Sequence, residues 1–583
     1  MPRCEVVIAP EELRKELSTL GREFRALEEF VGAGSIYEAS AFVEELSRLR
    51  LSNGSRLSKS FVYEGYELWW INYDTLFFHY CLPYTQYRKL LEYLVDFKKI
   101  KFYKPPYNRL FSCYFQAYEC EVEILREPGL RGIPTLPLGI LLQVLITLIF
   151  LPVLMLQRRG ILLFTSDEFD GLRDYNFRMR FIYEELRQKN LPFVEFIRSI
   201  EPWKTVLMHA LKRKRAVIYT DAVTFVGRLA SRVSGGRRRA RQMFGNHIIP
   251  AEIDRTTRFK FLVATQYLLC VYDDIWAIQI MKWIVRAVGI KSALILAAMG
   301  RNFQTVLGCK LNGVPTIGIL HGVASRHYNV YDFMPTYDGQ KTLSVDKYGV
   351  WSEWWKEYYI KNGRAYNKEQ LYVSGPMRPL VRGEAEALPK NDVSSSIEQY
   401  EEDEIVDQNQ NRHGPIKVLF VSEQLAVPHE VIPYLEALLD EKSFSIYICF
   451  RPYLDRFEVW LKTNNPDILA RFEPDKIFRS GIKEAITKCD IVVGTHSTAV
   501  LEALFELKPM VFFSTNKWGD YFNLKDSNQK NTLFAESPKE LLECMRRGVE
   551  IPKSALKKHQ QKFFGNLYQN GSKWMVEEAE KSL

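Results

Sequence analysis

The chain has 583 residues, of which 47% are hydrophobic and 26% are charged, and its formal net charge is +9. This composition excludes a mainly disordered chain, and a single core rarely exceeds roughly 250–300 residues, so we expect two large domains with additions. The mild positive charge fits an anionic partner such as a nucleotide diphosphate or an acidic lipid surface. We expect no nucleic-acid partner.

Cysteine usage and the N-terminus indicate the compartment. The nine cysteines are an odd number, and no pair has C-x-x-C spacing. This pattern argues against a disulfide framework or a zinc site and indicates a reducing, cytoplasmic environment. Residues 1–20 are charged and lack the apolar core of a signal peptide.

Residues 1–130 form the first predicted region, of α+β type. A charged helical stretch between Glu11 and Arg50 precedes an aromatic-rich stretch, SFVYEGYELWWINYDTLFFHYCLPYTQY. We expect these aromatic side chains in a core, with a membrane-facing surface as the alternative. No motif in this region carries chemistry.

Residues 131–158 form an apolar segment without a charged residue between Gly132 and Gln157. About 20 apolar residues can cross a bilayer as a helix, and arginines at both ends give no orientation. We expect a membrane-associated segment, monotopic or re-entrant with both flanks cytoplasmic, because several lysines also precede it. A single span and a buried core helix are the alternatives.

Residues 159–381 read as alternating strands and helices, which predicts a first Rossmann-like domain with a parallel sheet. The basic run Arg237 to Arg241 is predicted as a solvated loop, with lipid headgroups as a further possible partner. The predicted strands are 161–165, 216–220, 294–298, 316–320, 348–351 and 371–373, and the predicted helices are 177–189 and 302–311.

Residues 382–415 are polar and acidic, which predicts a linker between two domains. Alternation resumes over residues 416–583, the predicted second Rossmann-like domain, to which we also assign the helical stretch from Pro538 onwards. Its predicted strands are 416–422, 444–450, 490–494 and 510–513.

The strongest chemical motif is CDIVVGTHSTAVLEAL. A strand ending at Gly494 leads through Thr495, His496 and Ser497 into a helix near Thr498. Ser497 or Thr498 suits the N-cap, and free N–H groups at a helix start favour an anion such as a phosphate. Glu502 lies one turn later on the same face, where a carboxylate can accept hydrogen bonds from ribose. A capped helix in an ordinary βαβ unit is the alternative.

The second motif is GVPTIGILHG, in which His321 and Gly322 follow an apolar strand. An imidazole at the carboxyl end of a parallel strand lies where open sheets bind ligands, and it can take a proton from a hydroxyl or contact a phosphate. Arg326 in the same loop is a candidate catalytic residue with His321, and Arg301 before it is a candidate cleft cation. A structural histidine is the alternative.

Weaker candidates end other strands. Arg451 suits a diphosphate, Ser374 and Gly375 end the last strand of the first domain, and KWGDYF begins at Lys517. The chain has no Walker motif, no G-x-G-x-x-G at a strand–helix turn, and no zinc-type spacing. We therefore expect neither a metal nor another cofactor.

Four segments carry a resemblance, namely GVPTIGILHG, VDKYGVWSEWWKEYY, LYVSGPMRP, and THSTAVLEALFELKPMVFF with WGDYF. Their order and spacing resemble GT-B-type surface-carbohydrate proteins, including capsule-type glycosyltransferases. The pattern more distantly resembles the glycerophosphate and polyol-phosphate polymerases of wall teichoic acid. The likeness covers residues 160–583. Such families often show R-x-H-P after a second-domain strand, where this chain has Arg451-Pro452-Tyr453.

This resemblance implies an α/β GT-B fold with two Rossmann-like domains facing a cleft. It implies a nucleotide-sugar donor on the second domain, near Ser497, Thr498 and Glu502, and a glycan or lipid-linked acceptor on the first, near His321 and Gly322. We expect a metal-independent glycosyltransferase of surface polysaccharide biosynthesis at the cytoplasmic face of the membrane. The alternatives are a CDP-polyol phosphotransferase, a sugar-nucleotide epimerase, and a membrane scaffold without activity.

Overall fold

The computed structural model describes most of the chain. The described residues are 3–11, 24–103, 107–125, 138–167, 174–199, 201–245, 253–296, 303–328, 330–377, 414–423, 427–451, 455–479, 481–525 and 532–583. The predicted linker therefore lies almost wholly outside them, and so does Arg301.

The N-terminal region contains a four-stranded sheet in the order β2-β1-β5-β6 and a short antiparallel hairpin, β3–β4. All strands of the larger sheet are parallel, which refines the predicted α+β region. The aromatic stretch forms the core, as predicted, since Trp69, Trp70 and Phe77 are almost fully buried. The strands are β1 (Arg3–Ala9), β2 (Phe24–Ala26), β3 (Val62–Tyr63), β4 (Tyr66–Glu67), β5 (Phe97–Tyr103) and β6 (Glu121–Leu125).

A seven-stranded parallel sheet follows, in the order β13-β12-β11-β10-β7-β8-β9. Its central strands are almost wholly buried because helices cover both faces. The strands are β7 (Ile161–Ser166), β8 (Phe193–Arg198), β9 (Val217–Tyr219), β10 (Ser292–Ile295), β11 (Thr316–Ile319), β12 (Lys347–Val350) and β13 (Leu371–Val373).

The third sheet has six parallel strands in the order β16-β15-β14-β17-β18-β19. In both large sheets the chain starts at a central strand, builds outwards on one side, and then returns to build outwards on the other. This doubly wound order places a crevice at the carboxyl ends of the central strands. The strands are β14 (Ile416–Val421), β15 (Phe444–Cys449), β16 (Ile477–Phe478), β17 (Ile491–Gly494), β18 (Met510–Phe513) and β19 (Phe534–Ala535).

The helices cover these sheets. The N-terminal ones are α1 (Ile36–Ser47), α2 (Tyr73–Leu76), α3 (Leu82–Gln86), α4 (Arg88–Leu94) and α5 (Asn108–Tyr118). Those of the first Rossmann-like domain are α6 (Leu138–Gln157), α7 (Arg180–Gln188), α8 (Trp203–Lys212), α9 (Thr220–Val233), α10 (Gly236–Gly245), α11 (Arg255–Leu268), α12 (Val271–Val288), α13 (Phe303–Lys310), α14 (Val330–Phe333) and α15 (Glu353–Asn362). The rest are α16 (Pro428–Asp440), α17 (Arg456–Asn464), α18 (Pro466–Ala470), α19 (Ile482–Lys488), α20 (Thr498–Leu501), α21 (Pro538–Gly548), α22 (Lys553–Phe564) and α23 (Gly571–Glu580).

Two predictions need correction. The basic run Arg237 to Arg241 is helical, within α10, and is not a loop; its small and apolar residues, including the buried Ala240, pack on α9 and α12. The C-terminal helices do not all belong to the second domain. Helix α23 crosses back and buries Met575 and Val576 against the first large sheet, because its apolar face completes the cover of β10 and β11.

Together the two large sheets give the α/β GT-B arrangement, with two Rossmann-like domains facing each other. Among the described residues, two helical stretches are long and apolar enough to cross a membrane, 138–157 and 255–288. The second is broken between α11 and α12 and is more than half buried, as expected for core helices. The first, α6, packs along β9, α8, α9 and α12 and leaves most of its apolar surface exposed.

Candidate functional site

The two motifs singled out in the sequence meet where the domains face each other. Thr498, at the start of α20, accepts a hydrogen bond through its hydroxyl oxygen from the backbone N–H of Val323, at 3.3 Å. Gly322 lies against the same hydroxyl, since a Cβ built on it would be 3.6 Å away. The loop after β11 and the helix start after β17 therefore form the two walls of one interdomain site.

His321 lies at the entrance to this contact, directly after β11 and Leu320. Its side chain is exposed to solvent, yet it is deep enough between the domains that desolvation, together with the Arg178 guanidinium, lowers its pKa to about 4. The imidazole is therefore neutral at physiological pH. A neutral imidazole can accept a proton from a hydroxyl group, although a pKa this low makes it a weak base.

The opposite wall begins with Thr495 and His496, both buried, at the end of β17. The Thr495 hydroxyl and His496 Nδ1 are 3.0 Å apart, and burial with nearby Lys517 and Arg451 lowers the pKa of His496 well below its usual value. Ser497 is the N-cap, as predicted, with its hydroxyl oxygen accepting from the N–H of Ala499 at 3.3 Å. The helix is shorter than predicted, because α20 ends at Leu501 and continues as a 3-10 turn over Glu502–Glu506.

Two acidic groups lie near this wall. The carboxylate of Glu502 lies near Cys449, at the end of β15. Burial raises the pKa of the Cys449 thiol, and the negative charge of Glu502 raises it further. Glu423, after β14, is buried with its Oε1 3.7 Å from His496 Nε2 and 3.8 Å from Arg451 Nη2. Arg451 is thus held beside the carboxyl ends of β14 and β17, at the topological switch point.

A cluster of aromatic side chains lies along one side of the site. The His496 ring stacks on Trp518 with ring centroids 3.8 Å apart, and Tyr521 lies 5.3 Å from the same imidazole. Tyr328 of the first domain meets Trp518 edge-on at 5.1 Å. The segment KWGDYF therefore lies beside the nucleotide motif and joins the two domains through ring contacts.

Arg326 points towards the N-terminal region. Its guanidinium contacts Asn362 Oδ1 at 3.4 Å and Glu44 at 3.8 Å, and its backbone N–H donates to the Tyr358 hydroxyl at 3.3 Å. These contacts position the loop between β11 and α14. They do not direct the guanidinium to His321, so we treat Arg326 as a positioning residue.

Ser374 and Gly375 have contacts with the C-terminal segment. The Ser374 hydroxyl donates to the carbonyls of Val350 and Gly375, and Gly375 has a positive φ of 76° against Gln569, where a Cβ would be 2.5 Å from that side chain. Both residues thus help to fix the chain that leads into α23. Arg301 lies outside the described residues, so its place in the cleft stays a prediction.

Three side chains near the site were missed in the sequence. Arg178 lies in the 3-10 turn Phe177–Met179 before α7, Glu423 follows β14 without a motif, and Tyr37 lies in the distant helix α1. The Tyr37 ring contacts the His327 ring at a tilt of 44°, with centroids 4.2 Å apart, and lies against Gly519, so it touches both walls. Only the position of Glu423 after an apolar strand gave a usable signal, since such ends converge in a parallel sheet.

The arrangement offers hydrogen-bond donors and cations to an anion on one wall and a neutral imidazole on the other. Within the described ranges, no three His, Cys, Asp or Glu side chains are grouped in a way that would hold a metal ion, and none of the eight cysteines whose side chains are described forms a disulfide. The chemistry that these groups support is displacement at a phosphate-activated carbon or phosphorus, with charge offset by fixed donors.

Comparisons with known proteins give similarities of structure alone. No family model matches the sequence, and no curated protein matches it either. Among solved structures, a glycosyltransferase from Rickettsia africae has a TM-score of 0.39 and 12% identity, with 73% of this chain and 99% of that chain covered. A UDP-GlcNAc 2-epimerase from Methanocaldococcus jannaschii and MurG from Acinetobacter baumannii each have a TM-score of 0.39 and 10% identity. Each comparison covers 72% of this chain and 99% of the other chain. Similarities of this size carry no information about the reaction.

Proposed function

We propose that this chain is a glycosyltransferase that moves a sugar from a nucleotide-sugar donor to a growing or lipid-linked surface-glycan acceptor. The supporting observation is the contact between Val323 and Thr498, which brings the His321 loop and the Ser497–Thr498 helix start together across the interdomain cleft. We further propose that the reaction needs no metal or other cofactor and takes place at the cytoplasmic face of the cell membrane.

In this proposal the donor diphosphate lies at Ser497 and Thr498, where hydroxyl and backbone N–H groups face an anion. Arg178 and Arg451 offset the charge that develops on the leaving group. Glu502 holds the ribose. The Thr498 hydroxyl oxygen already accepts from Val323, and its proton stays available for a phosphate oxygen.

His321 takes the proton of the acceptor hydroxyl as that oxygen attacks the anomeric carbon and the bond to the donor phosphate breaks. Because its pKa is lowered to about 4, the imidazole is neutral and unprotonated before each turnover. It also orients the attacking oxygen, a role that needs no high basicity.

A panel of nucleotide donors tests the reaction class. We expect the purified protein with membrane lipid extract to release UDP or GDP from a sugar nucleotide and to transfer the labelled sugar to lipid. Release of CMP from CDP-glycerol or CDP-ribitol would instead identify a polyol phosphotransferase. Interconversion of the sugar without any acceptor would identify an epimerase.

Replacement of His321 tests its role. We expect His321→Ala to lower kcat by about 100-fold or more, as loss of a general base does, while nucleotide affinity measured by calorimetry stays unchanged. His429→Ala, at an exposed histidine of α16, is the matched control and should behave as wild type. A His321→Ala protein with unchanged turnover would remove this residue from the mechanism.

A further inference from the structure

The outer side of α6 is an apolar surface. Leu138, Leu141, Leu145 and Leu148 follow one another at three- to four-residue spacing along it and are all exposed, with Leu148 at 62%. The opposite side is fixed in the protein. Gln143 donates to the carbonyl of Ser199 at 3.3 Å, and the buried Thr147 hydroxyl accepts from the N–H of Tyr219 at 3.0 Å.

Two neighbouring helices continue this surface. Helix α8 exposes Leu211 at 78%, and α9 exposes Val233 at 92%. Both helices pack against α6, and we call the exposed apolar side chains of the three helices the docking face. Besides the α6 leucines, its members include Ile149, Val153, Leu156, Trp203, Leu207, Met208, Leu211, Val226, Leu229 and Val233. Exposed apolar areas of this extent are rare on soluble monomers and mark contact sites.

Basic side chains surround the docking face. Between Trp203 and Gly245 the sequence has eleven lysines and arginines against one aspartate, Asp221, although Arg213 and Arg215 pair with acidic groups inside the domain. Arg228 and Arg232 are exposed on α9 beside Val226 and Leu229, and α10 adds four exposed arginines, Arg237, Arg238, Arg239 and Arg241. This combination of an apolar centre and a cationic border matches a leaflet with anionic headgroups and acyl chains below them.

The packing of α6 against the protein also limits the orientation that this helix can have in a bilayer. The helix covers β9, an edge strand of the first large sheet, and is held there by Gln143 and Thr147. A transmembrane orientation would strip it from β9, leaving buried apolar and polar groups of the domain uncovered. Lying parallel to the bilayer surface, α6 can keep these contacts and bury only its outer leucines.

We propose that the docking face lies in the plane of an anionic phospholipid leaflet, with α6, α8 and α9 inserted to the depth of their exposed apolar side chains and α10 on the headgroups. This deepens the proposed membrane location by naming the surface, the orientation and the lipid charge. It does not depend on the sugar or on the nucleotide.

Vesicle flotation with the full-length protein tests the proposal without any sugar donor. We expect strong binding to phosphatidylcholine vesicles that contain phosphatidylglycerol, weaker binding to pure phosphatidylcholine, and loss of part of the affinity as salt is raised. Equal binding to both vesicle types, or no binding to either, would overturn the proposal. A stable dimer that protects the docking face and does not float would overturn it as well.

Two variants separate the apolar and the cationic contributions. We expect L145E with L148E to abolish flotation on both vesicle types, and R237Q, R238Q and R239Q together to weaken binding to anionic vesicles on the order of 100-fold, at about fivefold per arginine. The matched controls are V459E, at an exposed valine of α17, and K557Q with K558Q on α22. Equal loss of binding in these controls would refute the assignment.

A third measurement distinguishes failure of the docking face from failure of the proposed reaction. The L145E, L148E variant should transfer sugar to a short water-soluble acceptor as wild type does, and its circular dichroism should be unchanged. Wild-type vesicle binding without any sugar transfer would refute the proposed function and leave the docking face standing. Sugar transfer without vesicle binding would refute the docking face and leave the proposed function standing.

Discussion

At the residue scale, His321 combines access to solvent with a lowered pKa, and this makes its ionisation measurable. The group is neutral above its pKa of about 4 and becomes a cation only below it. A proton acceptor acts in its neutral form, so activity that depends on His321 is retained as the pH rises and is lost as the pH falls through this pKa.

We therefore expect the pH profile of kcat/KM to be flat between pH 6 and 7 and to fall with an apparent pKa near 4, because desolvation and Arg178 disfavour the imidazolium. Circular dichroism at each pH separates titration from acid unfolding. Replacement of Arg178 by Gln should move the acid limb upwards, towards the usual histidine value of about 6.5. A wild-type limb already near that value would contradict the assignment.

A second residue, Asp167, holds the first large sheet to α8. It ends β7 fully buried, accepts from Ser199 Oγ at 2.9 Å, lies 3.1 Å from His209 Nδ1, and pairs with the buried Arg213. Burial raises its pKa, but the His209 hydrogen bond and Arg213 outweigh this and lower it. A lowered carboxyl pKa stabilises the fold above about pH 4, and that stability is lost as the pH falls through the folded-state value.

We expect Asp167→Asn to lower the free energy of unfolding by about 3–5 kcal/mol, because it leaves Arg213 buried without its counter-charge. The loss should appear as faster hydrogen exchange in β7 and β8 and as a lower midpoint of thermal unfolding. Asp440→Asn breaks an exposed pair with Arg471 and should cost less than about 1 kcal/mol. Similar losses in the two variants would contradict this account.

At the scale of single elements, α1 joins three parts of the protein. From the N-terminal region it touches the first Rossmann-like domain through Tyr37 and Ser40 at His327, and the second through the N–H of Ile36, which donates to the Lys517 carbonyl at 3.1 Å. Gly519 has a positive φ of 52° and leaves the space that the Tyr37 ring fills. The helix therefore stabilises the closed arrangement of the cleft.

We expect Tyr37→Ala to weaken the connection between the two walls of the cleft, since it removes the ring contact with His327 and the contact with Gly519. Hydrogen exchange should rise both in the loop 321–328 and in the segment 517–521, and the KM for the donor should change more than the midpoint of thermal unfolding. Tyr63→Ala, in the β3–β4 hairpin, is the matched control. Increased exchange confined to α1 itself would show that the helix does not connect the two walls.

Apolar runs predicted most strands of the two large sheets to within two or three residues, for example β11 and β18, because fully buried parallel strands need continuous apolar sequence. Strand β8 was not predicted, because Glu195 interrupts its apolar run. That carboxylate is satisfied by Arg215, 2.9 Å away and 20 residues later, which the local pattern does not reveal. Strand β1 was missed because its apolar run, Val6 to Ala9, is short and follows the charged residues Arg3 and Glu5.

At the scale of the whole molecule, the two walls of the site were predictable because each follows a recognisable strand. Their approach at Val323 and Thr498 agrees with the cleft that the sequence implied. The contributions of Arg178 and Tyr37 were not predictable, because each comes from a different region and only the packing brings it near; that of Glu423 was signalled only by its position after an apolar strand. The same holds for the docking face, where the sequence identified α6 but not α8 and α9.

The return of α23 to the first domain has a mechanical consequence. The chain passes between the Rossmann-like domains twice, and the two passages are adjacent on the first domain, where the N–H of Gly571 donates to the Pro376 carbonyl at 2.9 Å. A Cβ on Gly571 would be 2.5 Å from the Gly375 carbonyl oxygen, and one on Gly375 would be 2.5 Å from Gln569 Cβ, so both positions need glycine. The end of β13 and the start of α23 are therefore fixed to each other at one place on the first domain.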